Sequence, residues 1–118
     1  MFKPFTYIEN YDYSKGWDRY ALDYSKLLVK DTVYYLTKEM MHLIVKNEFN
    51  PEKGRKIRVL DVNCGTGNDF PFFLEKGWMV TGCDGSPGML NKAAEDYQQF
   101  IKDGKLELYS GYLEELNK

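Results

Sequence analysis

Hydrophobic positions along the chain follow two rhythms, and the switches between them outline the predicted elements. Val29, Val33, Leu36, Met40 and Leu43 recur at spacings of three and four, which places them on one face of a helix. That helix is predicted to begin near Asp31 and to stop before FNPEKG, where Pro51 and Gly54 mark a loop. The run KIRVLDV is continuous and rich in β-branched residues and leucine. It predicts a strand over 57–62 with neither face half exposed. The polar turn NCGTGND leads into a short helix holding Pro71, Phe72, Phe73 and Leu74. Proline suits a first helical turn, whose N–H groups have no intrahelical partners, and Gly77 fits just past the end. WMVTGCD predicts a second strand over 78–83. SPGMLNKAAEDYQQFIK predicts a helix with Ser86 as N-cap, Pro87 at the first helical position and Leu90, Ala93, Ala94, Tyr97 and Ile101 as its apolar stripe. Gly104 closes that helix, and KLELYSGYL predicts a third strand over 106–110.

The order helix, β, α, β, α, β implies right-handed crossovers and a parallel sheet with helices on its faces. The expected fold class is therefore α/β, a three-layer Rossmann-like sheet of about three strands in residues 26–118. Residues 1–25 form an aromatic arm ahead of it. Phe2, Phe5, Tyr7, Tyr11, Tyr13, Trp17, Tyr20 and Tyr24 all fall there, a composition unlike that of a disordered tail. The arm must pack on this domain, on a ligand or on a second chain. Tyr20 and Tyr24 are candidates to close over a ligand or to pack on the long helix. Phe2 to Tyr13 are expected to pack.

Composition narrows the class. The 118 residues suffice for one core, with 43% hydrophobic and 29% charged positions and no apolar run near the length of a membrane span. The N-terminus lacks the apolar region of a signal peptide. A net charge of −2 argues against nucleic acid as the main partner. Cys64 and Cys83 stand outside any CxxC spacing and read as buried small hydrophobes in a reducing, cytoplasmic compartment. His42 lies off the long helix's apolar stripe and reads as a surface or boundary residue. No metal site is expected.

The chemistry concentrates in VLDVNCGTGNDF, residues 59–70, at the carboxyl end of the first predicted strand, where open parallel sheets bind ligands. A phosphate-binding GxxxxGK[ST] loop is a weak reading, because no Lys-Ser or Lys-Thr follows the glycines at that spacing. A dinucleotide fingerprint starting at Gly65 and Gly67 would have Phe70 at its third position, and Asp61 and Asp69 would crowd a pyrophosphate. A nucleoside without phosphate fits better. Asp84 follows Asn63 by 21 residues, close to the roughly 20-residue spacing of a ribose-binding acid. A cationic ligand would tolerate Asp61 and Asp69, and a helix N-terminus can receive a carboxylate. Ribose, cation and carboxylate together describe S-adenosylmethionine.

VLDVNCGTG followed by VTGCDGSPGML resembles the first two motifs of the class I S-adenosylmethionine-dependent methyltransferases. KDT upstream, LEKGWMVTGCDGSPGMLNKA and the aromatic arm look most like the glycine N-methyltransferase group. The resemblance covers about residues 17–116 and is sharp over 57–94. It implies S-adenosylmethionine as cofactor, with Asp61 and the turn Asn63, Cys64, Gly65, Thr66 and Gly67 along the methionine part. Asp84 would hold the ribose hydroxyls, and Gly85 with Met89 or Leu90 would lie near the adenine. Apart from the resemblance, Tyr20 or Tyr24 could close over the cofactor, an aromatic face suiting a sulfonium, or pack on the long helix or a partner. The implied reaction is methyl transfer to an unidentified acceptor, of which a small amine is the family-based expectation.

The pattern departs from the family's at Asn63, where Gly or Ala is usual, at Tyr112, where an acid or Asn is frequent, and in DTVYYL, which lacks an arginine that Arg19 could replace. Three strands stand where the superfamily has seven, so the chain would carry the cofactor-binding half. The first strand would then be an apolar edge, and self-association through it or through the arm is expected. Two rival readings are a non-catalytic nucleoside-binding or interaction module and a nicotinamide-dependent oxidoreductase fragment.

Overall fold

The computed structural model describes residues 2–24, 32–49, 56–112 and 114. Val29, the predicted helix start at Asp31 and the loop with Pro51 and Gly54 lie outside them. The elements are β1 (Lys3–Pro4), a 3₁₀ turn (Gly16–Tyr20), α1 (Thr32–Glu48), β2 (Arg58–Val62), α2 (Phe70–Leu74), β3 (Met79–Asp84), α3 (Pro87–Asp96), α4 (Gln98–Lys102) and β4 (Leu106–Ser110). The α/β architecture expected from the pattern is the one the chain adopts. Strands pair in the order β1-β4-β3-β2. β2, β3 and β4 are parallel, with Val59 opposite Val80 and Val80 opposite Leu106. Their carboxyl ends therefore share one edge.

The arm adds a strand that periodicity did not predict. Lys3 and Pro4 pair antiparallel with Ser110 and Tyr109, and the Phe5 N–H continues the pairing to the Leu108 carbonyl at 2.7 Å. Two residues are too few to show an alternating pattern, so only the waiting edge of β4 reveals them.

Register explains where the core sits. Val59, Val80, Leu106 and Leu108 share one sheet face, and Val80, Leu106 and Leu108 pack with Phe70 and Leu74 of α2 and Leu90, Ala93 and Ala94 of α3, with Val59 against this cluster. On the other face Leu60 is 58% exposed and Met79 38%. This corrects the expectation that KIRVLDV has neither face half exposed. β2 is an edge strand among the described residues, so continuous hydrophobicity did not translate into cover on both faces.

A second correction concerns α1. Val33, Leu36, Met40 and Leu43, the predicted packing stripe, are each more than half exposed. The half-buried positions are Tyr34, Lys38, His42 and Val45. The turn before α2 selects this face: Asp69 Oδ2 accepts a 2.6 Å hydrogen bond from Lys38 Nζ, and Asp69 Oδ1 lies 3.0 Å from His42 Nε2. The His42 ring stacks on Phe72 at 4.0 Å.

The last predicted helix is interrupted at Tyr97, whose φ of −117° and ψ of 25° separate α3 from α4. Its ring turns inward and meets Phe70 edge-on at 5.4 Å. Ser86 caps α3 as predicted, its Oγ accepting the Met89 N–H at 3.2 Å, with Pro87 in the first turn. No helix among the described residues is long and apolar enough to cross a membrane.

Candidate functional site

Beyond the carboxyl edge of the sheet lies a cavity of about 630 Å³. Its floor is built by the loops after β2 and β3. The chain turns out of β2 through Asn63 at φ 57°, then Gly65 at 59° and Gly67 at 85°. Asn enters the left-handed region more readily than other residues with a side chain, which lets it stand there. Gly67 is required on two grounds, its positive φ and the Phe70 ring that a Cβ would strike. Phe70 is fully buried, so the turn is anchored in the core.

Asp84 joins the two loops. Its Oδ2 accepts the Gly65 N–H and its Oδ1 the Ser86 N–H, both at 2.8 Å. A carboxylate offers about four acceptor sites, so both oxygens keep capacity for further donors. The register of β3 sets this up, since Asp84 is its last residue and lies opposite Ser110.

Asp61 brings the electrostatic tension. Burial, then the charges of Asp69 and Asp84, push its carboxyl up to about 6, with Lys38 acting in the opposite sense. Burial alone would pull Lys38 down, but its hydrogen bond and charge contact with Asp69 hold it above its usual range. Three carboxylates near one edge with one half-buried lysine make an environment that welcomes a cation. Cys64 is no nucleophile here. Burial, then the Asp61 and Asp84 charges, push its thiol far up, and the same causes raise Cys83.

Of the residues singled out from sequence, Tyr24, Asn63, Gly65, Asp84, Gly85 and Met89 line the cavity. Asp61, Cys64, Thr66, Gly67 and Tyr20 do not. Thr66 is 2% exposed and belongs to the turn's interior. Cys64 Sγ would lie 3.1 Å from a Cβ at Gly82, which puts the thiol against the sheet. Tyr20 packs beside Trp17, ring centres 5.6 Å apart. Sequence reasoning missed Lys15, Gly16, Trp17, Asp18 and Pro87 as lining residues, and took Ser86 only as a cap. No local signal marks residues 15–18, because their place depends on where the arm docks.

Residues 59–118 match the family described as "Methyltransferase domain". No curated protein matches the sequence. Among solved structures, Haemonchus contortus phosphoethanolamine N-methyltransferase 2, in complex with phosphomonomethylethanolamine and S-adenosylhomocysteine, is 28% identical, with a TM-score of 0.47 over 59% of this chain and 16% of that one. The same enzyme in complex with S-adenosyl-L-methionine gives the same values. A protein from Pyrococcus horikoshii OT3 is 29% identical, with a TM-score of 0.46 over 70% of this chain and 36% of that one. The chain thus spans about 16% of the length of the first two structures it matches.

Proposed function

Because the chain belongs to the methyltransferase domain family, we propose that its cavity binds S-adenosylmethionine and that the protein takes part in methyl transfer. The observation that carries this reading is Asp84, which ends β3, cross-links the loops after β2 and β3, and still has acceptor capacity facing the cavity. The residues present fit the group. Asp84 can accept the ribose hydroxyls, and the aromatic and apolar walls at Trp17, Met89 and Tyr112 suit a nucleobase. Asp84 at the lining, with the charge of Asp61 acting on it, favours a cation near the turn, and Lys15 at the cavity wall can meet a carboxylate.

When bound, the cofactor supplies an electrophilic methyl group on a sulfonium. The chain's own work is to bind and orient, because such transfer draws mainly on alignment and electrostatics. The acceptor class supported by the motif likeness is a small amine.

The test is isothermal titration of the chain with S-adenosylhomocysteine, with Asp84→Ala as control. Binding to the parent that is lost in Asp84→Ala is the expected result. An equal heat signature for both proteins would overturn the assignment of Asp84, and no binding to the parent would overturn the cofactor reading. Methylation of a small amine in an acceptor screen is the expected activity.

A further inference from the structure

One wall of the cavity does not come from the sheet at all. Residues 15–18 and Tyr24 of the arm form it, and the arm is held down by two polar anchors on α3. At the first, Asp18 is 8% exposed. Its Oδ1 accepts Ser86 Oγ–H at 2.5 Å and the Gly88 N–H at 2.9 Å, while Oδ2 accepts the Tyr11 hydroxyl at 2.5 Å. An acid at a helix N-terminus meets unsatisfied N–H groups and the positive end of the dipole. At the second, Asn91 is 1% exposed. Its Oδ1 accepts the Ile8 N–H at 2.6 Å, and its amide donates to the Ile8 carbonyl at 3.0 Å and to the Tyr13 hydroxyl at 2.9 Å.

Gly88 makes the approach possible. A Cβ there would stand 2.6 Å from Asp18 Cβ and 2.8 Å from its Cα, so the arm's backbone rests directly on the glycine. Apolar burial at the 3₁₀ turn is small, because Trp17 is 68% exposed and Tyr20 46%, and Ala21 at its end buries one methyl. Among the described contacts of that turn, hydrogen bonds and close fit at α3 carry the docking.

We propose that Asp18, Gly88 and Asn91 are positioning residues that clamp the arm onto α3 and thereby assemble the second wall of the cofactor cavity. This inference rests on the reading of the cavity as an S-adenosylmethionine site. Arm docking and ligand binding are then coupled: a ligand touching both walls favours the docked arm, and a variant that undocks the arm lowers affinity by the docked fraction it loses.

The experiment uses the full chain, with S-adenosylhomocysteine titration alongside limited trypsin digestion read at Lys15 and Arg19 by mass spectrometry. Four variants are compared with the parent. Gly88→Ala removes no hydrogen-bonding group and favours the helix, yet its methyl collides with Asp18. Asn91→Leu removes the second anchor outside the cavity lining. Asp18→Asn keeps an acceptor for Ser86 or Gly88 and serves as the conservative rescue against Asp18→Ala. The expected result is about 10-fold or greater loss of affinity in Gly88→Ala, Asn91→Leu and Asp18→Ala, with faster cleavage at Lys15 and Arg19 and a smaller loss in Asp18→Asn. S-adenosylhomocysteine should slow cleavage of the parent's arm. Gly88→Ala should do this while its circular dichroism spectrum keeps the α/β content of the parent, which global unfolding would not give. Variants that bind like a binding-competent parent while their arm is cleaved faster would overturn the clamp alone. A parent that does not bind overturns the cofactor reading and this inference with it.

Discussion

Replacing Asp61 with Asn tests whether the cavity edge is held under charge strain. Asp61 has its carboxyl pushed from 3.8 up to about 6 by burial and by the neighbouring Asp69 and Asp84 charges. A raised folded-state value means that the native chain binds more protons than the unfolded chain between these two values. The stabilising contribution is therefore complete below pH of about 4 and is lost as pH rises through about 6. The difference of about 2 units corresponds to about 3 kcal/mol at neutral pH, at about 1.4 kcal/mol per unit. Asp61→Asn removes the ionisation and leaves the size unchanged, so the repulsion from Asp69 and Asp84 is lost with it. The ligand-free variant should be more stable than the parent at pH 7.5 by up to about 3 kcal/mol, a rise of roughly 10 °C for a domain of this size. Thermal melts followed by circular dichroism at pH 7.5 and pH 4 check this. The gap between variant and parent should close at pH 4, where both side chains are neutral. Equal melting temperatures at pH 7.5, or a gap that persists at pH 4, would refute the electrostatic account.

The same carboxyl predicts pH-linked binding: a cationic ligand favours ionised Asp61, so affinity should rise as pH increases through about 6, and titrations in buffers of different ionisation enthalpy should detect proton release that Asp61→Asn abolishes. Asp84→Ala should destabilise the ligand-free chain by about 1–3 kcal/mol as well as abolish binding, because the Gly65 and Ser86 N–H groups lose a charged acceptor. Gly67→Ala, which combines a φ of 85° with a clash against Phe70, should cost about 2–4 kcal/mol in urea denaturation. The outer edge of β2 and the exposed α1 residues Val33, Leu36, Met40 and Leu43 should drive concentration-dependent association, seen by light scattering and weakened by Leu60→Lys; a monomer at high concentration would count against it.

The contrast between α3 and α1 shows what made parts of this protein legible. Ser86, Pro87 and the stripe Leu90, Ala93 and Ala94 identified both the start of α3 and its buried face. Capping chemistry and sheet contact agree there, so local pattern and tertiary demand coincide. In α1 the period was also real, but it identified an amphipathic helix without saying what would cover it. Contacts of Asp69 and Phe72 with Lys38 and His42 chose another face. Tyr97 broke its helix for the same kind of reason, a ring drawn toward Phe70.

The site divides in the same way. The glycine turn, Asp84 at the end of its strand and their spacing were readable because backbone conformation at a tight turn restricts which residues can stand there. The arm's contribution was not. Asp18 meets Gly88 across 70 residues, and Ile8 meets Asn91 across 83, pairings that no periodicity encodes. The raised carboxyl of Asp61 likewise depends on burial and on Asp69 and Asp84 converging at one sheet edge. Local rules of turn, cap and period were sufficient for the β-α-β-α-β order and the floor of the cavity. The second wall, the packing face of α1 and the charge strain were decided by tertiary structure, because each arises between groups distant in the chain whose interaction exists only once the sheet has brought them together.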